Sequence, residues 1–176
     1  MDDHKCQFSF LVGRNAYKLD KMKKSKMKVV LVEPEIPFNT GSIGRTCVAL
    51  DLELILIGKL GFSLDSSSVA RSGTRYWKFV QTSLYQSWAE FIQKRLPLDE
   101  QLYFFEEDGS SSFYLPTYHP EAYLVFGCES KGLPKTIRES MKIRTFSIPM
   151  KNKAVKSLNL ANAATAVIYQ AMREYL

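Results

Sequence analysis

An α/β fold with a parallel sheet covered on both faces by helices is the architecture the sequence predicts, and two observations carry that expectation. Strand-like and helix-like stretches alternate along the chain, and several strand-like runs are apolar at every position instead of every second one. A strand that is apolar on both sides must be buried on both sides, which is the condition of a parallel sheet between helical layers. With 176 residues, 45% of them hydrophobic, the chain can hide roughly two-thirds of its unfolded surface in one core, so residues 28–176 are expected to form a single domain.

The elements follow in order. KVVLVE, from Lys28, is a short β-rich run, and a helix follows to Leu50 with Asn39 or Thr40 as its cap. Leu54–Gly58 is a second buried strand and residues 66–72 a short helix, before the basic segment ARSGTRYWKF. Leu84, Trp88, Phe91 and Ile92 are spaced as on one helical face, which predicts a helix over Ser83–Leu96 stopped by Pro97. Gln101–Glu106 and Tyr123–Phe126 are strands, and Gly127 opens the turn CESKGLP into a helix over 135–141. Thr145–Ile148 is the last strand, and Leu158–Leu176 a largely apolar closing helix.

Charge and cysteine usage narrow the function classes. The net charge is +6, yet residues 1–28 hold eight Lys or Arg against three Asp, whereas the remainder holds 16 against 15. The basicity therefore sits in an N-terminal extension, residues 1–27, which reads equally as a disordered solvated arm or as salt-sensitive attraction for phosphates. Cys6, Cys47 and Cys128 are odd in number, form no CxxC pair, and fit a reducing cytoplasm better than a disulfide framework. His4 and His119 are isolated, so no metal is expected, and no apolar run reaches the roughly 20 residues of a membrane span.

In open parallel sheets ligands sit beyond the carboxyl ends of the strands, which directs attention to three loops. The first, Glu33–Arg45, carries an amide at Asn39 and a guanidinium at Arg45, suited to phosphate or to an exposed helix face. The second, Phe126–Pro134, has glycines at 127 and 132 that permit close approach and a tight turn, as an ordinary strand-to-helix turn also would. The third, Ile148–Asn162, sets Ser157, Asn159 and Asn162 at a helix start, where capping and ligand binding are both open. No GxGxxG turn follows the first strand, which removes a nicotinamide oxidoreductase from consideration.

Taken together and in order, EPEIPFNTGSIGRTC, LVFGCESKGLP and IPMKNKAVKSLNLANAATAVIYQA resemble the three motifs of the SpoU class of SPOUT methyltransferases, from about Lys28 to the C-terminus. The likeness is greatest to the small bacterial enzymes that methylate the wobble cytidine or uridine of tRNA on its ribose 2′-oxygen. The resemblance implies a sheet whose C-terminal part is threaded into a deep trefoil knot. It also implies S-adenosylmethionine as cofactor, tRNA as partner, and a homodimer through the first and last helices. Carried over by position, Phe105, Gly127, Ile148, Ser157 and Leu158 would contact the cofactor. Arg45 would engage the target nucleotide within a polar shell of Asn39, Glu129, Ser157 and Asn159, and Tyr169 would lie near the dimer interface. A guanidinium is normally fixed as a cation, so Arg45 would orient the nucleotide and stabilise a developing alkoxide, the proton passing to phosphate or water.

Two departures from the pattern stand out. Cys128-Glu129-Ser130-Lys131-Gly132 replaces the Pro-Glu-Thr-Arg-Gly of relatives, which keeps charge and turn and is expected to loosen the loop. Thr74 and Arg75 stand where relatives have Leu-Asp, making an acidic contact basic. Two rival readings remain at this stage: the same chemistry on ribosomal RNA, for which an added RNA-binding domain is usual, and a non-catalytic RNA-binding module that keeps the fold.

Overall fold

The computed structural model describes residues 25–64, 76–140 and 144–176. Three sequence expectations fall outside that range: the basic arm before residue 25, the short helix at 66–72, and the exchange at Thr74 and Arg75. Seven strands form one sheet among the described residues, in the spatial order β3-β2-β1-β6-β4-β7-β5. They are β1 Lys28–Val32, β2 Glu53–Ile57, β3 Thr82–Tyr85, β4 Leu102–Phe105, β5 Ser111–Ser112, β6 Tyr123–Phe126 and β7 Thr145–Ser147. Every pairing is parallel, as the uniformly apolar strands predict.

Alternate residues of each strand feed two cores. Val29 and Leu31 of β1, Leu54 and Leu56 of β2, and Leu124 and Phe126 of β6 face one side. There they meet α1 (Pro37–Ala49) and the closing helix through Ile43, Cys47, Ala164, Val167, Ile168 and Ala171. Val30, Val32, Ile55, Ile57, Phe104 and Val125 face the other side, against α2 (Trp88–Arg95) and α3 (Lys135–Ser140). The period-2 alternation of side chains makes both faces buried when both are apolar. Cys47 lies wholly inside, where burial pushes its thiol pKa up to about 12 and leaves it a packing group.

Two boundaries differ from expectation for identifiable reasons. The predicted helix over Ser83–Leu96 opens as strand: Thr82–Tyr85 pairs with β2 in the register Leu54↔Thr82, and α2 begins only after Ser87. Ser87 Oγ accepts from Glu90 N–H at 3.1 Å, and the Glu90 carboxylate accepts from Gln86 N–H at 2.5 Å, a start signal written in the sequence as Ser-x-x-Glu. Leu96 ends α2 in the left-handed conformation, φ 47°, directly before Pro97.

Neither Asn39 nor Thr40 caps α1. The cap position is Ile36, Pro37 opens the first turn, and both polar residues lie buried within the helix. The closing helix, α4, spans Leu160–Met172 and starts at Asn159, whose side chain accepts from Ala161 N–H and Asn162 N–H. Thr46 of α1 and Thr165 of α4 lie hydroxyl to hydroxyl at 3.2 Å where the two helices pack.

Phe91 is the keystone of the second core, edge-on to Tyr85 and Tyr123 with ring centroids 5.5 Å away in each case. Truncation to alanine removes the ring against which both tyrosines pack. The Phe91→Ala variant should lose about 3–5 kcal/mol of stability, read from the midpoint of urea unfolding followed by tryptophan fluorescence.

Candidate functional site

The strand order reverses direction around β1, β6 and β4, and the carboxyl ends of these strands, with that of β7, open onto one cavity of about 490 Å3. That is the place where a parallel sheet leaves room for a ligand, and the volume lies within the ordinary range for small-molecule sites. Phe105, Gly127, Ile148, Ser157 and Leu158, expected on the cofactor, all line it, as do Asn39, Glu129 and Asn159. Arg45 does not. It lies further along α1, exposed, with its guanidinium 4.9 Å from the centroid of the Tyr76 ring.

Two glycines shape the floor. At Gly127 a Cβ would stand 2.0 Å from the carbonyl carbon of Gly132 and 2.1 Å from Leu133 N, so only a residue without a side chain lets the two segments touch. Gly132 takes φ +68°, a left-handed value that closes the turn. Cys128 and Gly132 exchange both backbone hydrogen bonds, at 3.1 and 3.0 Å.

A polar chain joins the three loops. Asn159 Nδ2 donates to Asn39 Oδ1 at 2.9 Å, and Asn39 Nδ2 donates to Glu129 Oε1 at 2.8 Å. Glu129 accepts two more bonds, from Glu35 N–H at 2.8 Å and Ile36 N–H at 3.2 Å. The clasp is reciprocal, because the Glu35 carboxylate accepts from Ser130 N–H at 3.0 Å and Ser130 Oγ at 2.7 Å. Helix N–H groups can only donate and a carboxylate only accepts, so the ends of the chain dictate how both asparagine amides point. Asn159 thus serves as cap and as site residue together. The sequence reading anticipated Asn39, Glu129 and Asn159 but not Glu35 or Ser130, whose pairing is legible only once the loops are side by side.

The walls are aromatic and aliphatic. Phe105 and Phe126 stack at 5.0 Å, with Phe146 6.0 Å from Phe105. Glu106, which the sequence reading passed over, also lines the cavity and accepts from Leu133 N–H at 2.5 Å. Its pKa is raised above the ordinary carboxylate value, chiefly by burial, against the opposing pull of that hydrogen bond.

Comparison with known proteins gives a consistent picture. The model of the SpoU rRNA methylase family matches residues 26–169. A Synechocystis sp. protein provisionally named tRNA (cytidine(34)-2′-O)-methyltransferase is 38% identical over 148 residues, covering 84% of this chain and 96% of its own length. A solved structure described as giving insight into 2-OH methylation of C/U34 on tRNA superposes with a TM-score of 0.79 at 37% identity, covering 86% of this chain and 97% of that one. A SpoU methyltransferase from Streptomyces viridochromogenes in complex with AdoMet matches with a TM-score of 0.75 at 29% identity, over 89% of this chain and 64% of its own.

The Glu129 clasp generates a sharp expectation. Glu129→Gln is nearly isosteric but turns an N–H2 toward Glu35 N–H or toward the Asn39 amide, setting donor against donor. It should cost about 1–3 kcal/mol, measured as a lowered denaturation midpoint, although the substitution removes no volume.

Proposed function

The chain belongs to the SpoU rRNA methylase family, and from that premise we propose that it transfers the methyl group of S-adenosylmethionine to the ribose 2′-hydroxyl of the wobble cytidine or uridine of tRNA. The observation that carries this reading is the cavity: every residue assigned to the cofactor by the resemblance lines one space at the carboxyl ends of β4, β6 and β7. The tRNA substrate draws support from the Synechocystis relative and from the structure concerned with C/U34, both matched over nearly their whole lengths.

The residues present suit such a donor. Flat apolar walls at Phe105, Phe126 and Phe146 accept a nucleobase and a thioether chain, and Gly127 lies on the same lining. Bound there, the group supplies an electrophilic methyl on a sulfonium centre. Phe105, Gly127, Ile148, Ser157 and Leu158 would hold it, and the Glu129–Asn39–Asn159 chain keeps the three loops at fixed spacing. Positioning of this kind accounts for several kcal/mol of barrier lowering in well-oriented reactions, roughly 7–11 at its limit.

Arg45 belongs to the substrate side. About 9 Å separates it from Asn39 along α1 at the ordinary helical rise, which sets it outside its own cavity. In a homodimer through α1 and α4, Arg45 of one protomer would serve the cavity of the other, orienting the target nucleotide and stabilising the developing alkoxide. Exposed apolar groups at Ile36, Phe38, Leu158 and Tyr169, on and beside those helices, support that assembly. The same reading takes the path through residues 120–165 as a trefoil knot and places the protein in the cytoplasm with its tRNA. Among the described residues no helix is long and apolar enough to cross a membrane.

The test is methylation of a tRNA set and, separately, of ribosomal RNA by the purified protein, with 2′-O-methyl marks mapped by mass spectrometry. A mark at position 34 alone is expected; a mark on ribosomal RNA instead, or none with a donor that binds, would overturn the reading. Arg45→Lys should lower kcat at least tenfold with cofactor affinity unchanged, because an ammonium cannot reproduce a bidentate fork. Near-full turnover of that variant would remove Arg45 from its role.

A further inference from the structure

Glu106 and Glu129 are both half-buried carboxylates of the cavity wall, and their surroundings differ. Glu129 accepts from three donors and is fully engaged in holding loops together. Glu106 accepts one hydrogen bond among the described residues, from Leu133 N–H, although a carboxylate offers about four lone-pair sites. Its Oε2 lies against the second loop, 2.5 Å from where a Cβ on Gly132 would be. Arg138, a cation of the same wall, is paired with Asp108 at 2.5 Å. Burial raises the carboxyl's pKa against the pulls of the Leu133 bond and of the Arg138 charge, and Lys131 and Lys156 stand on the same cavity's lining.

A half-buried carboxylate with one hydrogen bond, facing a half-closed cavity, attracts a cation more strongly than it would in bulk water. On the reading that this cavity takes the methyl donor, the ligand before transfer carries a sulfonium and the spent ligand a neutral thioether. They differ by one methyl and one positive charge. We propose that Glu106 is a specificity-determining residue of this site, its carboxylate biasing the cavity toward the sulfonium donor and against the thioether product. The bond to Leu133 is a separate, structural duty that an amide can also perform, which makes the two roles separable.

Calorimetric titration of the full-length protein and of Glu106→Gln with S-adenosylmethionine and with S-adenosylhomocysteine tests the idea. Glutamine keeps an acceptor for Leu133 N–H and removes only the charge. The ratio of the two dissociation constants should shift about tenfold against the sulfonium form in the variant, with the thioether affinity changed less than about twofold. An unchanged ratio, whether both affinities fall together or neither moves, would overturn the inference and leave the assigned activity standing. Absence of heat with both ligands in the unaltered protein would overturn the reading of the cavity and this inference with it. Should the variant fail to fold, sinefungin on the unaltered protein decides, since it carries an amine in place of the sulfonium. It should bind at least threefold tighter than the thioether, and weaker binding would count against Glu106.

Discussion

One carboxylate holds the site together. Glu129, reaching from the loop after β6, takes hydrogen bonds from the backbone after β1 and from Asn39, and through Asn39 it reaches Asn159 at the head of α4. Three segments far apart in the chain are thereby fixed at hydrogen-bond spacing. The chain runs in one sense, from the positive N-terminus of α4 through two amides to a negative charge, so each bond polarises the next. A cavity built of loops alone would be soft; this one is tied by groups that have no alternative orientation.

The sheet makes that tie possible. Parallel strands send all their carboxyl ends to one edge, and the order β1-β6-β4-β7 brings together loops that are separated by nearly the length of the domain. Burial on both faces fixes the register of each strand, since a slip of one residue would exchange the two cores. The precision of the polar chain is inherited from the packing of Val29 to Val32, Leu54 to Ile57 and Leu124 to Phe126 beneath it.

Much of this was readable in the residues, and the failures have physical causes. The apolar runs announced the buried strands, and the three motifs located the loops that meet. Thr82–Tyr85 was misread because Leu84 happens to continue the helical spacing of Trp88, Phe91 and Ile92, while the Ser87-x-x-Glu90 signal that marks the true start is shorter than that pattern. An asparagine near a helix start is usually a cap, but Pro37 already opens this helix and the Asn39 amide is diverted to Glu129. Glu35 with Ser130, and Glu106 with Leu133, depend on neighbours 95 and 27 residues away, and no local pattern announces them.

The contact between Gly127 and the Gly132–Leu133 peptide has a consequence for how this protein can vary. Two stretches of main chain meet there with nothing between them, so position 127 cannot accept a side chain unless the peptide after Gly132 recedes. Any lineage that abandons glycine at 127 must also have rerouted the turn it rests upon.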